Sequence, residues 1–432
     1  MGLAIGGLYM KVFKYFFNKD FLLLWVGLSV SRMGDGAGFI AIMWWVQSEA
    51  GALALGALAM AKGLTATLLG PFGGVLADRL DRKVIIVSTD VIRGIIYCLL
   101  AYLAATGSLT LPVLIVLSCL SVACGQLFYP AVTASIPMLV PNDGLERANA
   151  LNQFTRQLVN IAGYAAGGVM VALFGVPMLL IINGLSFLCS AASEMFIVIP
   201  RVSIDQQRIS AGLFLSDIRD GLNYILKNDV LTRILALCMV LNFFYAPLFV
   251  LMPVFVSDHM GADSTVYGYL LSSMMAGGLL GAVILSGSTW VQNNLWLVKW
   301  GVTLQGLLLL MMPFLPVHLW LWHIVVLFLS GGLNMIINIY FETLVQRITQ
   351  PEYMGKVFGL LGTATGALAP VAQGLSGAAA SVVKVPFIYA ICAGFCTATG
   401  VTFPFIRGID SFMEGSSGQE EETIEPAVPA SD

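Results

Sequence analysis

The sequence predicts an all-α membrane protein in which twelve transmembrane helices form two six-helix bundles. Hydrophobic residues make up 58% of the 432 residues and charged residues only 10%, whereas soluble domains carry about 25% charged residues. The mean hydropathy is +0.88. Apolar windows of about 20 residues, long enough to cross a bilayer, recur along the whole chain. A water-soluble core could not bury so much apolar surface, so the chain belongs in a membrane.

Six predicted spans lie in each half of the chain, and turn sequences such as "NDG" at 142–144, "GVP" at 175–177 and "KVP" at 384–386 separate them. In the first half the spans lie near 21–46, 52–76, 84–105, 111–134, 148–173 and 177–199. In the second half they lie near 231–257, 266–286, 295–314, 319–341, 357–380 and 386–406.

Four regions follow from this pattern. Residues 1–200 and 231–407 are the predicted bundles, and both Met1 and Met10 are compatible with the native start. Residues 201–230 carry apolar side chains at helical spacing among charged ones, which predicts an amphipathic linker helix on the inner membrane surface. Residues 408–432 are polar and acidic and are predicted to be a disordered tail.

Lysine and arginine determine the predicted orientation, because cytoplasmic segments of membrane proteins are enriched in both. With the N-terminus inside, Lys384 is the one basic residue in the predicted outer loops. Both termini are therefore predicted to be cytoplasmic, in a multi-pass protein of the inner cell membrane. The inner segments hold Lys11, Lys14, Lys19, Arg79, Arg82, Lys83, Arg147, Arg201, Arg208, Arg219, Lys227, Arg347, Lys356 and Arg407.

The two halves resemble each other. The segment "ASIPMLVPNDGLERANALN" (134–152) follows the fourth span, and "TLVQRITQPEYMGKVFGLL" (343–361) follows the tenth. Each contains a proline, then acidic residues, then a basic residue that opens the next span. Paired repeats with a substrate site between them near the midplane are a common transporter plan.

A short loop joins the second and third predicted spans in the sequence "GGVLADRLDRKVIIVSTDVIRG" (73–94). It resembles the signature loop of the major facilitator superfamily. Asp81 stands where that pattern usually has a glycine, a departure that, like the linker sequence at 214–235, resembles the macrolide-efflux-type branch of proton-drug antiporters. The residues that match the signature are Gly74, Asp78, Arg79, Arg82 and Lys83.

The resemblance implies a secondary transporter in which these loop residues, with Asp90 and Arg93, form a cytoplasmic gate that closes when the cavity faces outward. The alternative is that the cations serve insertion alone, but the acidic residues contribute nothing to orientation. The fifth span contains Gly163, Gly167 and Gly168 but no proline. It therefore lacks the Gly-Pro signature of many antiporters.

Arg32, Asp35, Lys62 and Arg156 are charged residues inside predicted spans of the first half, and Glu194 lies toward the inner end of the sixth span. A charge at the bilayer centre costs at least about 2.5–3.5 kcal/mol on insertion scales. Counting along the helices places Asp35, Lys62 and Arg156 at similar depth. We therefore expect Asp35 to pair with Arg32, Lys62 or Arg156 beside the central cavity and to couple a proton to transport. The alternative is a static ion pair that fixes helix packing.

Polar side chains form stripes at helical spacing along the fifth and tenth spans. They are predicted to face a substrate cavity, since polar residues in spans seldom face lipid. Hydrogen bonding between helices, worth about 0.6 kcal/mol per contact, is the alternative for each single residue. The stripe residues are Asn149, Gln153, Asn160, Asn334 and Asn338.

The predicted function is proton-coupled export of an amphipathic small molecule, such as a macrolide-like drug, by a monomer. A siderophore exporter, a lysophospholipid transporter and a non-transporting sensor or scaffold remain alternatives. The sequence contains no Ser-His-Asp set, cluster of metal ligands or phosphate-binding loop. We therefore expect no enzymatic activity, no cofactor, no metal and no nucleic-acid partner.

Overall fold

The computed structural model describes residues 18–200, 211–288, 291 and 295–405. The predicted tail, residues 1–17 and residues 201–210 of the predicted linker lie outside these ranges. The described helices are α1 (Lys19–Arg79), α2 (Arg82–Ala105), α3 (Leu111–Leu139), α4 (Leu145–Glu194), α5 (Ala211–Lys227), α6 (Asp229–Val250), α7 (Ser264–Gly287), α8 (Leu295–Met311), α9 (Trp320–Ile348), α10 (Met354–Ala379) and α11 (Val385–Thr402).

Two glycines divide the double-length helices α1 and α4. Gly51 has φ 74° and ψ −170°, and Gly175 has φ 76° and ψ 170°. L-residues with a side chain rarely adopt this backbone region. Each glycine therefore reverses the chain between two spans, residues 19–50 and 52–79 in α1 and residues 145–174 and 176–194 in α4.

Twelve spans result, which confirms the predicted fold class. Nine helices in the described ranges are long and apolar enough to cross a membrane, and α1 and α4 are among them. Counting α1 and α4 twice and adding the 17-residue α8 gives twelve spans. We number these spans 1 to 12 in chain order and leave out α5. Span 6 ends at Glu194 rather than 199, and α6 ends at Val250, after which the chain continues as a short helical turn and a π-helix, Phe255–His259.

Close packing between spans 2 and 4 depends on a missing side chain. A Cβ added to Gly73 would lie 1.9 Å from the carbonyl oxygen of Gln126. At Gly74 an added Cβ would meet no described atom within 4 Å. The pair at 73–74 thus allows a close approach of spans 2 and 4, but only through Gly73.

The two bundles contact each other near the turn at Gly51, and we call this the closed end. A Cβ on Gly268 of span 8 would lie 2.9 Å from the Cα of Gly168 of span 5, and one on Gly377 of span 11 would lie 2.6 Å from the Cα of Gly56 of span 2. The Ser264 hydroxyl donates to the Gly168 carbonyl oxygen at 3.0 Å.

A polar contact at the closed end joins span 1 to the π-helix after span 7. The Gln47 amide donates to Ser257 Oγ at 2.7 Å and to Asp258 Oδ1 at 3.1 Å. Toward the opposite end, an added Cβ on Gly359 or Gly362 of span 11 would meet no described atom within 4 Å. The contacts described between the bundles thus lie at the closed end, and we call the end from which α1 starts the open end.

Helix α5 packs against the second bundle at the open end. Asp220 pairs with Lys356 at 3.3 Å, and the Tyr224 and Tyr353 rings stack with centroids 4.3 Å apart. The Tyr224 hydroxyl also accepts from the Gln350 backbone N–H at 3.1 Å. These contacts fasten α5 to the end of span 10 and the start of span 11.

Candidate functional site

Asp35 forms an ion pair with Arg93 of span 3. Arg93 Nη2 and Asp35 Oδ2 are 2.7 Å apart, and the Arg93 guanidinium lies 4.0 Å from the centroid of the Phe187 ring. The direct ion-pair partner of Asp35 is therefore Arg93, which corrects the predicted pairing with Arg32, Lys62 or Arg156, although Lys62 lies within electrostatic range of Asp35. That prediction used depth alone, whereas the face of span 1 that carries Asp35 turns toward span 3.

Arg93 and Asp90 lie inside the first bundle, which corrects their predicted place in the cytoplasmic gate. Arg93 lies near the middle of α2, and the Asp90 side chain, one turn earlier, is fully buried. The two side chains approach to 4.0 Å. The signature loop ends where α2 begins, so the residues that follow enter the bilayer with the helix.

Asp81, the departure from the family pattern, caps α2. Its carboxylate accepts from the backbone N–H groups of Lys83 and Val84 at 3.0 and 3.4 Å, as N-cap residues do. Arg82 donates to the Ala134 carbonyl oxygen at 2.9 Å, which ties the loop to span 4. Of the other predicted gate residues, Arg79 is exposed and Lys83 partly buried, and the side chain of Asp78 lies outside the described part of the chain.

The other cations predicted inside spans of the first half, Arg32, Lys62 and Arg156, lie on spans 1, 2 and 5. Arg32 donates to the Asn152 side-chain oxygen at 2.7 Å, and Arg156 acts electrostatically on Arg32. The Lys62 ammonium lies 5.9 Å from the centroid of the Phe39 ring, within electrostatic range of Asp35. The structure thus places Lys62 near Asp35, and Arg32 near Arg156 beside a neutral amide.

The predicted stripe on span 5 is accessible over most of its length. Asn149 and Gln153 are exposed, and Asn160 is partly buried. On span 10, the Asn338 amide donates to the Asn334 carbonyl oxygen at 2.8 Å and to its side-chain oxygen at 3.1 Å. These two asparagines open onto a pocket within the second bundle.

This pocket has a volume of about 200 Å³ and is lined by residues of spans 7, 9, 10 and 12. The Gln305 amide donates to the Tyr245 hydroxyl at 3.3 Å across it. Sequence reasoning missed Gln305 and Asn242, although Gln305 is the one amide in the apolar run 300–311. The lining residues are uncharged: Cys238, Leu241, Asn242, Tyr245, Val302, Gln305, Gly306, Leu309, Asn334, Ile337, Asn338, Phe341 and Cys396.

Two bundles of six spans that meet at one end fit the paired-repeat plan of membrane transporters. Comparison with known families agrees with this geometry: the family model described as Major Facilitator Superfamily matches residues 24–373. This chain belongs to the Major Facilitator Superfamily. The resemblance inferred from the loop at 73–94 is thereby confirmed, and so is the expectation that the protein is a transporter rather than an enzyme.

Similar proteins include transporters of Gram-positive bacteria. An uncharacterized MFS-type transporter of Bacillus subtilis (strain 168), YfiS, is 27% identical over 394 residues, covering 87% of this chain and 90% of the relative. Macrolide efflux protein A of Streptococcus pyogenes is 23% identical over 392 residues, covering 90% and 96%. Among solved structures, a mutant of the nucleoside transporter NupG superposes with a TM-score of 0.73 at 13% identity, covering 90% of this chain and 99% of NupG, a likeness in fold alone.

Proposed function

We propose that this transporter is a proton-driven exporter of an amphipathic small molecule, such as a macrolide-like drug. We further propose that it works as a monomer in the cytoplasmic membrane, with both termini in the cytoplasm. The observation that carries the proposal is the Asp35–Arg93 ion pair in the middle of spans 1 and 3, whose carboxylate remains 36% exposed. Intramembrane acids with access to water are functional in most transporters.

Proton uptake by Asp35 would remove one partner of this ion pair. Arg93 is 13% exposed, and a guanidinium left without a counter-ion in the bundle is unfavourable. Spans 1 and 3 would then favour a different arrangement, and release of the proton would restore the pair. A carboxylate that gains and loses a proton as the cavity changes face couples the proton gradient to the motion.

The cavity residues support a cargo with oxygen acceptors on an apolar body. Arg32 and Arg156 supply only hydrogen-bond donors, and the pocket of the second bundle combines amides with apolar side chains. Macrolide efflux by a relative of 23% identity supports the same class of cargo. A thermal-shift screen against macrolides, siderophores and lysophospholipids tests it, because a ligand that binds the folded state raises the melting temperature.

With the N-terminus in the cytoplasm, the closed end faces outward and the structure is inward-facing. Gly74, Asp78, Arg79, Arg82 and Lys83 then lie at the open end, where the proposed cytoplasmic gate would close in the outward-facing state. Asp78→Asn should leave the protein inserted and slow transport, and wild-type transport in that variant would exclude Asp78 from the gate.

The orientation is testable with single cysteines at exposed positions of the two ends. A cysteine at Asp263 should react with an impermeant thiol reagent added to intact cells, and one at Glu352 should not. The reverse reactivity would contradict the proposed orientation.

Reconstituted vesicles with an imposed pH gradient test the coupling. The wild type should accumulate cargo only when the gradient is present, and Asp35→Asn should bind and equilibrate cargo without accumulating it. Asp229→Asn is the matched control, because Asp229 is 71% exposed and pairs with Arg233 outside the cavity. Wild-type accumulation by Asp35→Asn would exclude Asp35 as the coupling acid.

A further inference from the structure

A fully buried carboxyl group lies beside the Asp35–Arg93 pair. Asp90 is 0% exposed, and neither of its side-chain oxygens has a hydrogen-bond partner among the described residues. Its nearest cation is Arg93, 4.0 Å away, whose guanidinium is already bonded to Asp35 at 2.7 Å. A buried carboxylate with so little compensation is costly to ionise, which favours the neutral acid at Asp90.

The groups around Asp90 come from four spans. Asp35 faces it from span 1, and Arg93 and Tyr97 lie on its own span 3. Ser190 and Glu194 face it from span 6, where the Ser190 hydroxyl donates to Glu194 Oε1 at 3.2 Å. Glu194 is 1% exposed and its second oxygen has no described partner. Cys124 is the neighbouring titratable group on span 4.

Arg93 is therefore placed between two acids of which it can neutralise one at a time. We propose that Asp90 is a second binding site for the coupling proton and that Arg93 alternates between Asp35 and Asp90. This proposal rests on the proposed proton coupling and assigns it a second acid outside the cargo cavity.

The exchange conserves charge. In the proposed starting state Asp35 is the ionised partner of Arg93, and Asp90 is a neutral acid. When the cavity faces outward and Asp35 takes a proton from it, Arg93 loses its counter-ion, turns to Asp90 and favours release of the Asp90 proton. One proton thus enters at Asp35 from outside, and one leaves at Asp90 toward Ser190 and Glu194, near the cytoplasmic end of span 6. Asp35, Arg93 and Asp90 together are electrically neutral before and after, so the exchange leaves no unpaired charge among these three groups.

Infrared difference spectroscopy of the purified protein tests this without a transport assay, since a protonated carboxyl has its own C=O stretching band. The Asp90 band is identified as the band that Asp90→Asn removes at neutral pH. Asp35→Asn mimics a protonated Asp35, so it should abolish the same band, whereas Asp229→Asn should leave it unchanged. Persistence of the Asp90 band in Asp35→Asn, or its absence from the wild type at neutral pH, would overturn the proposal.

Acid titration of the wild type repeats the test if Asp35→Asn does not fold. The Asp90 band should weaken as the pH is lowered and Asp35 takes up its proton, although an independent carboxyl only gains its proton on acidification. A band that grows or stays constant would refute the alternation.

Vesicle transport separates this proposal from the proposed function. Asp90→Asn should bind cargo as the wild type does and lose at least tenfold in gradient-driven accumulation. A structural role for a permanently protonated Asp90 predicts wild-type accumulation, since asparagine has the same shape and no charge. If the wild type itself ignores the gradient, proton-driven export fails, while the infrared test still decides whether Arg93 alternates.

Discussion

The glycine contact at the closed end predicts that Gly268→Ala will open that end. The added Cβ would lie 2.5 Å from the Tyr164 carbonyl oxygen and 2.9 Å from the Cα of Gly168. Non-bonded carbon atoms prefer about 3.5–4.0 Å. Both obstacles are backbone atoms of span 5, which cannot turn aside as a flexible side chain can, so spans 5 and 8 must separate by about 1 Å here.

The steric cost of the added methyl group applies only to the conformation in which this end is closed. Overpacking a tight contact destabilises it by about 1–3 kcal/mol, which corresponds to a factor of about 5 to 150 in an equilibrium constant. In the alternative state the closed end is open and the Gly168–Gly268 contact is broken, so the added methyl group meets no obstacle there. Gly268→Ala should therefore shift the population by this factor toward the state that is open at this end.

Spin-label distances measure the shift directly. Cysteines at the exposed positions Glu49 and Asp263, on a background in which the seven native cysteines are replaced, report the width of the closed end. Gly394→Ala is the matched control, because its Cβ would meet no described atom within 4 Å. If Gly268→Ala and Gly394→Ala give the same distance distribution, the glycine contact does not determine which end is open.

Three further changes test separate contacts. Gln305→Leu should weaken cargo binding by about 2- to 12-fold, because one hydrogen-bonding amide beside Tyr245 is worth about 0.5–1.5 kcal/mol. Calorimetric titration with cargo measures the affinity, and an unchanged value would show that the pocket is not part of the cargo site. Asp81→Ala should lower the free energy of unfolding by about 0.5–2 kcal/mol through loss of the helix cap, which a lower melting temperature would report. Asp81→Asn should retain most of the stability that the cap provides, because asparagine is also a good N-cap residue. Tyr224→Ala should remove about 0.5–1.5 kcal/mol of stacking on Tyr353 and speed limited proteolysis between the bundles. Tyr224→Phe keeps the stack and loses only the hydroxyl contact with Gln350, so it should be cleaved more slowly than Tyr224→Ala; equal cleavage of both variants would show that the stack does not fasten α5.

The sequence predicted the number, order and class of the spans because these depend on local properties. An apolar run of about 20 residues crosses a bilayer whatever its neighbours are. The turns at Gly51 and Gly175 fall at the predicted breaks between spans 1 and 2 and between spans 5 and 6. The signature loop is contiguous in the chain, so its residues identified the superfamily without any knowledge of packing.

The sequence also predicted that Asp35 lies deep in the bilayer, but it could not identify the partner. Depth follows from counting residues along a helix, at about 1.5 Å per residue. The face that a residue occupies relative to its neighbours depends on how each helix is rotated and packed. Arg93, assigned from the sequence to the gate loop, therefore proved to be the partner of Asp35.

Other features were decided only by tertiary structure, for the same reason. In the sequence Asp81 is only a departure from the family motif. In the structure its carboxylate accepts hydrogen bonds from the backbone N–H groups of Lys83 and Val84, which identifies it as a helix cap. The pocket around Gln305 draws residues from four spans that are far apart in the chain. The buried Asp90 became informative only when its distance to a shared guanidinium was known. Hydrophobicity and turn chemistry thus determine which segments enter the membrane, whereas the side-chain pairs inside it depend on contacts between segments that no local pattern encodes.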